Sequence, residues 1–411
     1  MKNYFISLVF LLAAQLVTAQ LIQWRGPARD GHFDAKGLLK SWPEDGPALI
    51  LEAEKVGKGW SSPVYADGII YITGMIDTLD YLTAMDLSGN VKWQVSYGRS
   101  WNQSYPDTRS TPLLEDDRIY VQSGTGRVVC LNRNDGREIW AVDVDKEFET
   151  EYGTWGNSET PLLADEKLIC TPAGPNTSVI ALDKMTGALI WKTPSLGGPR
   201  SYVSATLYSH NNLELILAAT GTHLIAVHPA DGEIAWNYRY MDSEKWDRAG
   251  LIWANSPIYR GYEIFITMGY DYNAVMLEMD STGTSVTEKF TDNTLDNHHH
   301  GVILHDEYLY GSNWFNNKQG RWVCMDWNTG EIKYVESWDT KGALVMADEM
   351  LYAYNERGQV GLIKPGSDKF EVVSQFRITK GAGPHWAHPF ISDGKLFLRH
   401  GDVVLVYDIK A

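Results

Sequence analysis

Short apolar runs alternating with polar positions, each closed by a glycine or an Asp/Asn-rich turn, recur along nearly all of this chain. The stretch Ala181-Leu-Asp-Lys-Met-Thr-Gly-Ala-Leu-Ile-Trp191 shows the unit. An alternating run over 178–182 predicts a strand, 184–187 a tight turn, and 189–191 a second strand. Gly187 stands where a short hairpin turn demands a positive φ, and Trp191 follows at a fixed offset.

The unit repeats. Strands that open a pair fall at 69–74, 118–124, 167–172, 215–221, 263–269, 308–314, 350–356 and 395–401. Their partners fall at 81–86, 127–132, 178–183, 223–228, 274–279, 321–326, 359–364 and 402–408. A further strand carries Trp93, Trp140, Trp191, Trp236 and then Tyr334 in one slot. The interval is roughly 45 to 50 residues, the length of a four-stranded propeller blade. The eighth unit stops after three strands at Ala411, and a lone strand at 48–54 precedes the first. Placing that strand as the fourth of the last blade closes a ring and removes two open sheet edges. The fold expected is all-β, an eight-bladed propeller occupying 20–411 as one domain. Tryptophans at a constant offset after the turn are expected to wedge between blades.

The pattern Ala181-x-Asp183-x-x-Thr186-Gly187-x-x-x-Trp191 resembles the tryptophan-docking motif of pyrroloquinoline quinone (PQQ) repeat propellers. It returns at Cys130–Trp140 and Ala226–Trp236 and, weakened, at Cys324–Tyr334. That family includes quinoprotein alcohol dehydrogenases, BamB-type outer-membrane assembly proteins and exported propellers of unassigned activity. The resemblance therefore implies fold and leaves function open.

Composition narrows the setting. With 36 Lys and Arg against 52 Asp and Glu, the net charge is -16, which argues against nucleic acid and against an anionic membrane surface as partners. Lys2, the apolar run 5–16 and Val17-Thr18-Ala19 read as a signal peptide over 1–19, without a lipoprotein cysteine. No later apolar run is long enough to span a bilayer. The expected location is periplasmic or secreted. Cys130, Cys170 and Cys324 are read as small buried apolar residues, with no adjacent pair and no C-x-x-C-H for haem.

Candidate chemistry lies in the loops that lead into the first strand of each blade, because these converge on the channel axis. In order they carry Lys58 and Trp60; Tyr105, Asp107 and Arg109; Trp155, Asn157 and Glu159; Arg200 and Tyr202; Trp253 and Asn255; His298, His299 and His300; Lys341; and His385, Trp386 and His388. Turns that merely join strands would be Asp, Asn, Gly and Ser. Aromatic planes beside Arg, Asn and His donors suit a small polar or carbohydrate-like ligand. His299, His300, His388 and Arg109 are the catalytic candidates, and the other aromatic and polar side chains the ligand-binding ones. The run Asn297-His-His-His-Gly301 has three readings: acid–base chemistry, structural packing, or a transition metal held with help from His385 or His388. On an extended strand at most two of the three imidazoles can share a site.

Three functions remain open. One is a funnel that binds, and in an enzyme transforms, a carbohydrate-like ligand. Another is a BamB-like scaffold for envelope proteins. The third, a PQQ-dependent dehydrogenase, is disfavoured: the resemblance implies calcium ligands and a disulfide between neighbouring cysteines, and only Asn157 and Glu159 offer themselves as stand-ins.

Overall fold

The computed structural model describes residues 21–241 and 252–411, so the leader expected at 1–19 lies outside the described residues. Eight four-stranded antiparallel sheets follow one another in chain order. The first blade is Val64–Ala66, Ile69–Ile76, Leu79–Asp86 and Val91–Arg99. The first strands of blades 2 to 8 are Leu113–Glu115, Leu162–Ala164, Thr206–His210, Ile258–Arg260, Ile303–His305, Gly342–Ala347 and Phe390–Ser392. The strand Ala48–Ala53 pairs antiparallel with Val403–Asp408, so the ring closes with a strand from each end of the described chain. Among the described residues one helical turn, Val144–Glu147, interrupts the β-structure. None of their helices is long and apolar enough to cross a membrane.

The docking motif works by contact between consecutive blades. Trp93, Trp140 and Trp191 donate their indole N–H groups to the carbonyls of Arg133, Lys184 and Pro229, each in the turn of the following blade, at 3.2, 3.0 and 3.0 Å. Their rings lie against Gly136, Gly187 and Gly232, where an added Cβ would come within 2.7, 2.6 and 2.5 Å of the indole. Opposite each tryptophan in the sheet sits a small residue: Ala84, Cys130, Ala181 and Ala226 face Trp93, Trp140, Trp191 and Trp236. The cysteines are thus buried and unpaired. The slot does not require tryptophan. Phe290 packs on Gly330, Phe376 on Gly46, and Leu51 on Gly89, carrying the pattern through the closing blade.

One element escaped the repeat. His32–Phe33 adds a fifth, parallel strand to blade 7 beside Met346 and Ala347. The segment before it, Trp24-Arg-Gly-Pro-Ala-Arg-Asp-Gly31, runs against the first strands of the ring. Arg29 donates to the carbonyls of Thr160 and Ala205, both at 2.9 Å, and of Pro161, on blades 3 and 4. Arg25 donates to Val302 and Leu344 at 2.8 and 3.1 Å, on blades 6 and 7. Both guanidinium groups are buried, and burial lowers their pKa values to about 10 for Arg25 and about 9 for Arg29, so both stay charged at neutral pH. The segment ties opposite sides of the ring together.

Candidate functional site

Antiparallel pairing sends the first strand away from one face and brings the second strand back to it. Loops leading into first strands therefore share that face with the connections between second and third strands. Together they surround a cavity of about 260 Å³. Of the residues singled out in the sequence, Trp60, Tyr105, Arg109, Trp155, Tyr202, His298, His299, Trp386 and His388 line it. Thr111, Ser158, Thr160 and Ser204 add hydroxyls from the same entry loops, just ahead of the first strands.

The aromatic rings form a connected wall. Trp60 meets Trp386 at 4.9 Å between centroids, Trp386 meets Tyr105 at 5.6 Å, and Tyr105 meets Trp155 at 6.5 Å. Trp155 then meets Tyr202 at 5.8 Å. Tyr105 is 55% exposed and marks the open rim. Arg109 lies over the Trp60 ring at 4.6 Å, and its terminal nitrogens donate to the carbonyls of Tyr105 and Asp107 within its own loop. Burial lowers its pKa to about 10, which leaves the guanidinium charged. Asp107 shapes the loop, with φ at 97°, rather than lining the cavity.

The histidines differ in their freedom. His388 Nε2 lies 2.9 Å from the His299 carbonyl and can only donate to it, so its Nδ1 carries the lone pair that faces Arg25, 3.3 Å away. Burial and the Arg25 charge hold this imidazole well below its ordinary pKa, and both its nitrogens are engaged. Burial likewise depresses His299, with the neighbouring histidines and Lys341 adding to it, and depresses His300 against the opposing pull of Glu356, so both are neutral at pH 7. His300 Nε2 sits 3.1 Å from Glu356 Oε1, and Lys341 Nζ 3.1 Å from Glu356 Oε2. Burial alone would raise the Glu356 carboxyl, but the His300 hydrogen bond and the charges beside it pull it down to about 2. Trp386 also donates to Glu356, at 3.0 Å.

Several sequence candidates sit behind the wall rather than at the cavity. Arg200 forms a buried ion pair with Asp145 at 2.8 Å. Asn255 spans blades 5 and 6, donating to the carbonyls of Asn297 and His298 at 2.6 and 3.0 Å. Trp253 is fully buried against Tyr240. His385 stacks on His400 at 3.5 Å and bonds Tyr354 Oη. Lys341 reaches the cavity only through Glu356. Asn157 and Glu159 fare no better as calcium ligands. Asn157 Oδ1 accepts from the Glu159 amide, Glu159 Oε2 accepts from the Thr171 amide, and the charges acting on Glu159 are those of Arg200 and Arg29.

Sequence reasoning missed Trp24, Tyr270, Asn317 and Glu356, which also line the cavity. Three of these come from second-to-third connections, on the same face. One signal was present: most second strands end in glycine, whereas blade 7 ends in Glu356.

Comparison with known proteins fits this architecture. Residues 79–335 match the family described as outer membrane protein assembly factor BamB. The chain belongs to that family. Over 187 residues it is 25% identical to the BamB of Alkalilimnicola ehrlichii, covering 44% of each chain. Over 207 residues it is 25% identical to the quinohemoprotein alcohol dehydrogenase ADH IIB of Pseudomonas putida, covering 46% of this chain and 27% of that one. The chain thus spans less than half the length of these curated relatives. Among solved structures, BamB from Moraxella catarrhalis superposes with a TM-score of 0.59 at 15% identity, over 85% of this chain and 99% of that one. The quinohemoprotein alcohol dehydrogenase of Comamonas testosteroni superposes at 0.66 and 13% identity, over 93% and 79%. At such identities the superpositions establish the BamB-type fold alone. A quinone with its calcium fits this member poorly. Calcium takes six to eight oxygen ligands, yet among the described residues Glu356 is the one carboxylate lining the cavity.

Proposed function

We propose that this BamB-type propeller is an exported protein whose funnel binds a small polar, carbohydrate-like ligand. The observation that carries the reading is the continuous aromatic wall from Trp60 through Trp386, Tyr105 and Trp155 to Tyr202, set beside the Arg109 guanidinium. Sugar rings present C–H faces that pack on such planes, while their hydroxyls take up Arg, Ser and Thr groups. A scaffold with no ligand would gain nothing from leaving these rings unfilled around a cavity. Calorimetry with a panel of neutral and acidic oligosaccharides, run beside PQQ with calcium, tests it. Binding of an oligosaccharide that Trp155→Ala abolishes supports the reading. Binding of PQQ alone would overturn it.

A second reading rests on the family match: a scaffold that offers its rim to envelope proteins. Phe315, 66% exposed in a loop beside the funnel, is the apolar side chain that favours it. Loss of a partner from cross-linked envelope extracts in Phe315→Glu, with the funnel variants unaffected, would put this reading first.

A further inference from the structure

The triple histidine run does not lie straight. The chain bends at His299 and His300, and the bend turns two neighbouring imidazoles to the same side. Their ring centroids stand 4.2 Å apart with planes inclined by 32°, an arrangement an extended strand would forbid. Glu356 arrives from blade 7, and one ring nitrogen of each histidine and one carboxylate oxygen all lie within 4.8 Å of one another. We propose that His299, His300 and Glu356 form a site for a divalent transition-metal ion of the zinc class, with its remaining coordination positions open to the funnel.

The donor set carries the assignment. Two imidazoles and one carboxylate are what borderline divalent ions take in sites that keep a position free for water or substrate. Too few oxygens are present for calcium. His299 Nε2 is buried with no partner among the described residues, and His300 beside it is 1% exposed. Buried polar atoms are ordinarily paired, so this nitrogen points to an unfilled ligand demand. Outer groups already hold the carboxylate in place: Lys341 occupies Oε2, and Trp386 donates to Oε1 from the cavity wall. Loading replaces the His300–Glu356 hydrogen bond, and the imidazole proton passes to Nδ1, the nitrogen without a partner. His299 lines the cavity, so the ion would meet whatever ligand the funnel holds. The inference does not depend on that ligand being a sugar.

The test uses the full exported chain, stripped with a chelator and titrated calorimetrically with zinc and with nickel alone. About one equivalent per chain is expected, and His299→Ala and Glu356→Gln should each weaken binding by more than about tenfold, the least effect seen even for outer-sphere changes. His210→Ala, at the end of the first strand of blade 4 and absent from the cavity lining, should bind as the parent does. Cobalt loading gives a second readout: the visible absorption of a low-coordinate site, present in the parent and absent in His299→Ala. Circular dichroism melts confirm that His299→Ala is folded, since that ring is only partly buried. Failure of the parent to bind stoichiometrically, or parent-like affinity in both variants, overturns the site. Neither outcome bears on oligosaccharide binding, which is measured without metal.

Discussion

Trp140, on the outer strand of blade 2, donates its indole N–H to the Lys184 carbonyl in the turn of blade 3, while its ring fills the space a Cβ on Gly187 would need. A tryptophan thus supplies apolar area, a hydrogen bond and a shape requirement across the seams that follow blades 1, 2 and 3, which fixes how those blades stack.

Trp191 occupies the same place between blades 3 and 4, 8% exposed, with Gly232 against its ring. Trp191→Ala should destabilise the protein by roughly 3–5 kcal/mol, as large-to-small changes at buried aromatics do. Denaturant unfolding checks it, and a parent-like midpoint would remove the docking role.

Arg29 should matter as much, though no repeat contains it. Arg29→Met would leave the buried carbonyls of Thr160, Pro161 and Ala205 without a donor. Unsatisfied buried acceptors cost about 1–3 kcal/mol each, so a loss of about 3 kcal/mol or more is expected in the same assay. A loss below about 1 kcal/mol would mean water takes over these carbonyls.

Arg109 behaves oppositely. Its bonds stay within its own loop and its cation–π partner is Trp60 at the rim. Arg109→Ala should change stability by less than about 1 kcal/mol and abolish ligand binding by calorimetry. An unfolded variant would make the residue structural.

Acid should withdraw two contributions to stability, those of His298 and Glu356. Burial lowers His298 from 6.5 to about 3, so the unfolded chain binds this proton first and stability falls as pH drops from 6.5 towards 3. Glu356 is lowered from 4.5 to about 2, so its contribution is present above pH 4.5 and disappears as pH falls through 2. Urea midpoints should fall less steeply below pH 6.5 in His298→Gln than in the parent, with His299, His385 and His388, depressed likewise by burial, keeping the remaining slope, while Glu356→Gln should remove the loss below pH 4.5. Parallel profiles for parent and both variants would contradict the assignment.

The candidate site was legible by loop and not by face. In blade 4 Tyr202 and Ser204 reach the cavity while Tyr202's neighbours Ser201 and Val203 turn into the wall. In blade 5 Ile252 and Ala254 face it while Trp253 and Asn255 do not, and in blade 8 Trp386 and His388 do while His385 does not. Extended chain alternates its side chains, so choosing the most polar or aromatic residue from each loop mixed the two faces. Phe290, Phe376 and Leu51 were missed in the docking slot for a related reason: the slot selects for apolar bulk, and tryptophan is only its commonest occupant.

The chain's own periodicity determined the blade count, the turn glycines and the strand that closes the ring, because each is a local demand of hairpin geometry repeated at one interval. Only the tertiary structure decided that Glu356 of blade 7 would meet His300 of blade 6, and that Arg25 and Arg29 would cross the channel to opposite blades. Those contacts join residues far apart in sequence, and what brings them together is ring closure, which no local pattern encodes.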